Sequence, residues 1–364
     1  MELTIGGKIV SNDTPALIIA EAGINHDGKL EQAYQLIDMA ANAGADVVKF
    51  QLFTVSHMYP TTAGEYRTAN GKKTEIYDLI KDVELPEAWI PRLMERCRKR
   101  NIGFLCTTCD EASTDKLDKY GVDSYKIASG EITYLPLFEH TAQKGKTVIF
   151  SEGAASLTEI ANVVEILRAV GNKKLALLHC TAEYPAKMED CNVNLIETYR
   201  RIFPDILIGF SDHTMDPSEA SIQAVKMGAK IIEKHITVDR SLPGADHCFA
   251  LEEKDLRKLV EEVRYAQRHL EEIEKNPVIC GRTDKVILQE EESLRKFTHR
   301  GIFASVDLAK GERLTKDNII VLRPGNSENG IEPQFYHMLL ENGVRVNKAV
   351  ANNHPIRWED VLKA

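Results

Sequence analysis

The stretch "LIIAEAGINHDGKLEQAYQLIDMAANAGADVVKFQ" (17–51) holds a complete strand–helix–strand unit. Its opening, "LIIAEAG" (17–23), is a short aliphatic run bounded by glycine, which reads as a buried strand. Residues 30–44 then set Leu30, Ala33, Tyr34, Ile37 and Ala41 on one helical stripe, and Gly44 supplies the stop. "ADVVKFQ" (45–51) returns to strand character. The alternation continues at "NIGFLCT" (101–107), "DSYKIAS" (123–129), "KTVIFS" (146–151), "LALLHC" (175–180), "ILIGFSD" (206–212) and "AKIIEKH" (229–235). Amphipathic or mixed segments such as "LTEIANVVEILRAVG" (157–171) lie between them. Eight βα units within about 270 residues are the signature of a (β/α)8 TIM barrel. An open doubly wound sheet is the runner-up, but no GxGxxG follows the first strand and no P-loop occurs.

Composition narrows the function. Of 364 residues, 43% are hydrophobic and 28% charged, as expected of an ordinary soluble chain. The balance of 46 basic against 55 acidic residues, net −9, argues against a nucleic-acid surface, which needs a basic stripe. A locally positive pocket for a small anion remains compatible with it. No apolar run reaches membrane-span length, and the N-terminus lacks the basic and apolar regions of a secretory signal. Seven scattered cysteines suit a reducing cytoplasm, so a cytoplasmic location is expected. Cys106 and Cys109 form a CxxC with no second pair, and read as ordinary cysteines. After a helical segment at 256–273 the texture changes, and residues up to 296 are charged and aperiodic. The expected division is a catalytic barrel (1–275), a linker (276–296) and a small domain (297–364) that leans on the barrel or on another subunit.

In such barrels the chemistry sits at the C-terminal strand ends, and here all eight ends carry polar groups. The first strand offers Glu21, and the second Lys49 and Gln51 on one face by the two-residue period. Thr107, Lys126 with Ser129 and Glu131, Ser151, Tyr184, Ser211 with His213, and Glu233 with His235 follow in order. Taken singly, each has an ordinary structural reading as a snorkelling lysine, a helix-capping serine or a core histidine. Together they form a rim. Inward lysines are costly to bury without an anion, so Lys49 and Lys126, with Ser129, Ser151 and Ser211, read as a phosphate and carboxylate cradle. His213 and His235 come from adjacent strands. Such a pair suits a divalent metal with open positions, although it could also orient a phosphate. By the same period, Glu233 rather than Lys234 faces inward with His235, paired with a cradle lysine.

The motifs "IAEAGINHDG" (19–28), "ADVVKFQ" (45–51), "YKIASGEITYLPL" (125–137), "LLHCTAEYP" (177–185), "IGFSDHT" (208–214), "IEKHITVD" (232–239) and "PGADH" (243–247) together resemble the sialic acid synthase family. These are the phosphoenolpyruvate-dependent N-acetylneuraminate, legionaminate and pseudaminate synthases. Residues 301–326 resemble that family's C-terminal antifreeze-like (SAF, β-clip) domain. The resemblance implies condensation of phosphoenolpyruvate with the open-chain aldehyde of an N-acetylated hexosamine, with C–O cleavage and release of phosphate. It implies a divalent metal, commonly manganese with magnesium or cobalt as alternatives, held at His213 and His235. It places phosphoenolpyruvate on Lys49, Thr107, Lys126, Ser129, Ser151 and Ser211. It gives Glu21, Gln51, Glu131, Tyr184 and Asp246 to the sugar and the attacking water. Arg323 matches an arginine that crosses to the partner barrel, which implies a domain-swapped homodimer.

Several positions depart from the family pattern. The chain has "SEGA" (151–154) for "STGM", "CTTCD" (106–110) for "STPFD", and Ala182 where some members carry asparagine. A double arginine is reduced to Arg300-Gly301, and extra residues split "RPGNSENGI" (323–331). Two other readings compete. A Schiff-base aldolase would use Lys126 or Lys49 as nucleophile. A non-catalytic sugar- or ice-binding protein is suggested only by the antifreeze-like tail.

Overall fold

The computed structural model describes residues 1–67 and 73–362. Eight parallel strands close into a barrel in chain order: β1 (Leu17–Gly23), β2 (Val47–Leu52), β3 (Gly103–Thr108), β4 (Ser124–Ile127), β5 (Thr147–Ser151), β6 (Leu175–Cys180), β7 (Leu207–Asp212) and β8 (Ile231–His235). All eight expected strands are present, and the fold is the one the βα spacing predicts. The first helix, Leu30–Ala43, ends on Gly44 at φ 86°, a left-handed cap that glycine adopts without strain.

Alternation within the strands sorts the side chains into layers. Leu17, Ile19, Val47, Leu105, Ile149, Ala176, Leu178, Leu207 and Ile231 point inward and pack as one apolar cluster low in the barrel. One step further along the same face stand Glu21, Lys49, Thr107, Ser151, Ser211 and Glu233, all buried. The opposite faces, including Ile18, Val48, Phe104, Tyr125, Val148, Phe150, Ile208, Phe210 and Ile232, pack under the surrounding helices. Only glycine fits at position 209, because a Cβ there would lie 2.5 Å from Leu178 Cδ2 and 2.7 Å from Ile231 O.

A feature missing from the strand pattern closes the barrel floor. Glu2–Ile5 and Lys8–Ser11 form an antiparallel hairpin around Gly6 and Gly7, both at positive φ. Its Leu3, Ile5 and Val10 join the inner apolar cluster. The Gly-Gly pair between two alternating runs was the available signal.

The segment read as a linker is packed against the barrel. It contains helices Pro277–Cys280 and Glu292–Thr298, and it buries Glu291 and the side chain of Lys285 against the barrel. Aperiodic charge suggested solvation, but those charges have partners. Beyond it, Gly301–Ala304 and Ile319–Leu322 pair antiparallel. This domain docks on the barrel of its own chain: Arg323 N–H donates to Met58 O at 2.8 Å, and Asn326 N–H to Ala63 O at 2.8 Å.

Lys234 points outward from β8, as expected from the period, and its Nζ lies 2.8 Å from Asp212 Oδ2 with both side chains buried. Removing one partner of such a pair strands a charge. Lys234→Met is expected to lower unfolding stability by about 3–5 kcal/mol, read from the shift in urea midpoint, and adding Asp212→Leu to recover part of it.

Candidate active site

At the C-terminal mouth, Lys49 on β2 stands between two carboxylates, one from the adjacent strand β1 and one from β8 on the far side of β1. Its Nζ is 3.3 Å from Glu21 Oε1 on β1 and 3.2 Å from Glu233 Oε2 on β8, and it donates to Thr107 Oγ1 at 3.2 Å. Glu233 also accepts from Ser211 Oγ at 3.0 Å, and Glu21 from Gln51 Nε2 at 2.9 Å. Burial disfavours the Lys49 charge, but Glu21 and Glu233 outweigh it and raise its pKa. Burial alone would raise Glu233; Lys49 and Lys126 instead hold it down at about 2. The expected pairing of Glu233 with a cradle lysine is therefore present. Of the two lysines expected in the cradle, Lys49 is neutralised here by these carboxylates.

Lys126 differs. Its side chain is buried, its Nζ donates to Ser151 Oγ at 2.7 Å and Ile127 O at 3.1 Å, and no carboxylate lies within ion-pair distance among the described residues. Burial pushes its pKa down to about 8. It is the ammonium that an incoming anion would stabilise. Ser129 sits half-buried in the turn after β4, on the same side.

A second group forms where β1 meets the loop after β8. Glu21 Oε1, Gln51 Nε2 and Asp246 Oδ2 converge around Gly23, at 3.3, 3.4 and 3.5 Å from the point where a Cβ would stand. The loop bearing Asp246 is anchored by its neighbour His247, whose Nδ1 meets Thr237 Oγ1 at 2.7 Å and whose Nε2 meets Asp27 Oδ1 at 3.0 Å. Burial, then the Glu21 charge, raises Asp246 to about 7. Burial and Glu233 likewise raise Glu21 against the pull of Lys49. This pair of carboxyls can hold a proton near neutral pH.

His213 and His235 come together as expected, with ring centroids 5.6 Å apart. His213 Nδ1 meets Thr181 O at 2.8 Å, which leaves Nε2 as the lone-pair nitrogen. His235 Nδ1 is buried without a partner, 3.6 Å from Asp246 Oδ2. Burial keeps both imidazoles neutral, His213 at about 4 and His235 well below its usual value. Two neutral imidazoles with an unspent nitrogen fit a divalent cation. No set of three side-chain ligands converges among the described residues, so other positions would fall to water or substrate. Tyr184, 41% exposed, lies over His213 at 4.1 Å between ring centroids and flanks the opening.

Glu131 is placed differently from its expected role with sugar and water. It is fully buried, with Oε2 bonded by Arg300 and Oε1 by Arg323, whose Nε donates at 3.0 Å. Despite burial, the two guanidiniums hold its pKa below the usual carboxylate range. Its oxygens are spent. It anchors Arg323, and it does so within one chain, whereas the resemblance implied an arginine crossing to a partner. Arg300, also bonded to His57 O, Val321 O and Cys109 O, is the residue this reading missed.

The departures at 151–154 face away from the pocket. Glu152 pairs with His179 Nδ1 at 2.5 Å and Lys285 Nζ at 2.5 Å behind the barrel wall. Against burial, Lys285 and His179 hold it at about 2. Cys106 and Cys109 are buried free thiols, in keeping with their reading as ordinary cysteines.

Residues 36–275 match the NeuB family, and residues 299–362 match the SAF domain. The chain belongs to the NeuB family. It is 44% identical to the spore coat polysaccharide biosynthesis protein SpsE of Bacillus subtilis, over 98% of this chain and 96% of that protein. The crystal structure of SpsE superposes with a TM-score of 0.88, covering 100% of both chains. An N,N'-diacetyllegionaminic acid synthase of Legionella pneumophila is 35% identical over 98% of this chain and 97% of its own length. The N-acetylneuraminic acid synthetase of Leptospira borgpetersenii, solved with citrate, is 37% identical with a TM-score of 0.67 over 76% of this chain and 92% of that one. Relatives in this family are sialic-acid-type synthases, and the NeuB chain described here shares their barrel and appended domain. No helix among the described residues is long and apolar enough to cross a membrane.

The proton on Lys126 gives a pH test. In the free protein Lys126 is charged below about pH 8 and loses its charge above it. Affinity for a phosphorylated carboxylate, measured by calorimetry with phosphoenolpyruvate as the probe, is expected to fall as pH rises through that range. Lys126→Met is expected to bind more weakly at pH 7 and to lose that dependence.

Proposed function

We propose that this NeuB chain condenses phosphoenolpyruvate with the open-chain form of an N-acetylated hexosamine, N-acetylmannosamine or a diacetamido-hexose. The products are a nine-carbon sialic-acid-type sugar and phosphate. The observation that carries this is the juxtaposition of one ammonium without a direct ion pair, Lys126, with two neutral imidazoles and a proton-holding carboxyl pair in one barrel mouth. The names of the relatives supply the reaction class.

In this reading Lys126, Ser129, Ser151 and Ser211 bind the phosphate and carboxylate, where fixed donors act most strongly in a water-poor site. His213 and His235 would hold a divalent cation, which when bound supplies Lewis-acid polarisation of the aldehyde oxygen. C3 of phosphoenolpyruvate attacks the aldehyde carbon, water adds its oxygen at C2, and the C2–O bond to phosphate breaks. Glu21 and Asp246, with pKa values raised toward neutrality, can give a proton to the new alkoxide and take one from the water. Gln51 orients Glu21. Arg323, held by Glu131, joins the C-terminal domain to the turn after β4. Tyr184 covers the imidazoles at the entrance.

A Schiff-base aldolase is the second reading, favoured by one fact: Lys126 is a buried amine with a lowered pKa. Borohydride with a carbonyl substrate would trap Lys126 covalently in that case and leave it unlabelled in the synthase.

Phosphate release with manganese, phosphoenolpyruvate and a panel of N-acetylmannosamine, diacetamido-hexoses and a neutral aldose is the direct assay. At least one N-acetylated acceptor is expected to support release, chelation to abolish it, and readdition of manganese, magnesium or cobalt to rank the metals. His213→Ala and His235→Ala are each expected to slow release by about 100-fold or more. No release with any acceptor would sink the proposal.

A further inference from the structure

The segment joining the two domains reaches the barrel mouth through one carboxylate. Glu291 is 1% exposed. Its Oε1 accepts the backbone N–H of Ala154 at 2.7 Å and of Ala182 at 2.9 Å, and its Oε2 accepts that of Leu288 at 3.0 Å. The nearby ammonium of Lys285 is bonded to Glu152. Glu291 therefore spends its oxygens on peptide groups.

One of those groups matters. The N–H of Ala182 and the carbonyl of Thr181 belong to the same peptide unit, and that carbonyl meets His213 Nδ1 at 2.8 Å. A carboxylate thus bonds one end of a peptide whose other end bonds an imidazole. An anion on the N–H side polarises the amide and strengthens its carbonyl as an acceptor, by roughly 10–30% per bond in such chains. A stronger acceptor holds the proton on Nδ1 and makes Nε2 the more basic nitrogen.

We propose that Glu291 is a positioning residue for His213, acting through the Thr181–Ala182 peptide to fix its tautomer and raise its affinity for a divalent cation. This rests on the reading of His213 and His235 as the metal pair. It also gives two departures a common reason. Ala154 and Ala182 carry the two N–H groups that Glu291 binds, and both are buried; Ala182 Cβ already lies 3.0 Å from where a Cβ on Gly153 would stand. Small side chains there leave room for the carboxylate.

The test uses the full chain and manganese alone, with free Mn2+ followed by its electron paramagnetic resonance signal. Glu291→Gln keeps an acceptor and removes the charge, and is expected to weaken binding about 10-fold, in the range of outer-shell ligand partners. Glu291→Ala is expected to weaken it further. Arg295→Gln is the control, because Arg295, on the helix that directly follows Glu291, bonds Ala154 O and Glu159 without touching the 181–182 peptide. A loss as large in Arg295→Gln as in Glu291→Gln would make the effect one of packing and overturn the proposal, as would unchanged affinity in Glu291→Gln. A measurement on the wild type guards against variants that fail to fold. Nitrogen-15 spectra of metal-free protein must show His213 protonated at Nδ1, and the Nε2–H tautomer would refute the relay. Wild type that takes up no manganese would defeat the metal reading instead, a result the tautomer spectrum does not share.

Discussion

A charge enclosed by eight strands cannot reach solvent, so its neighbours must neutralise it or its pKa must move. Lys49 meets that constraint with Glu21 from the adjacent strand and Glu233 from the next one round the barrel. The rest of the mouth follows. With two carboxylates committed to Lys49, Lys126 is left with neutral partners and a lowered pKa. Burial first, and then repulsion from Glu233 and Glu21, in turn raise the carboxyls of Glu21 and Asp246. The site is close to electrically balanced, with one ammonium placed for an anion and one carboxyl pair placed for a proton.

The same constraint governs the joint between the domains. Glu131, Arg300 and Arg323 form a buried cluster of one anion and two cations, finished by backbone carbonyls on Arg300. It couples the turn after β4 to the small domain. The altered positions nearby fit each other. A Cβ on Gly301 would collide with Asn329, a residue of the extra stretch in "RPGNSENGI", and Asn329 Nδ2 donates to His299 O at 2.9 Å. Gly301 thus leaves the room that Asn329 fills.

Much of the fold was legible because inward positions keep one parity along every strand. Ile19 then Glu21, Val47 then Lys49, Leu105 then Thr107 and Ile231 then Glu233 each pass from apolar to polar at the same height. That two-residue step exposes both the strand and the rim. His213 and His235 were legible for the same reason, as residues ending adjacent strands. The floor hairpin was passed over because two four-residue strands around Gly6 and Gly7 fall outside the βα rhythm. The buried Glu152–Lys285–His179 group was hidden by composition, since charge in an aperiodic stretch looks the same whether solvated or paired.

The order of strands and helices, the inward parity and the set of polar residues at the rim were determined by the sequence itself, because each depends on spacing along the chain. Which charges cancel was decided only in three dimensions. Lys49 and Lys126 are alike as sequence features, yet one lies between two carboxylates and the other beside a serine. Glu131 is one more rim carboxylate in the sequence, yet two arginines from about 170 to 190 positions away take both its oxygens. Electrostatic energy depends on distance through space and on exclusion of water, and neither is written in the spacing of residues along a chain.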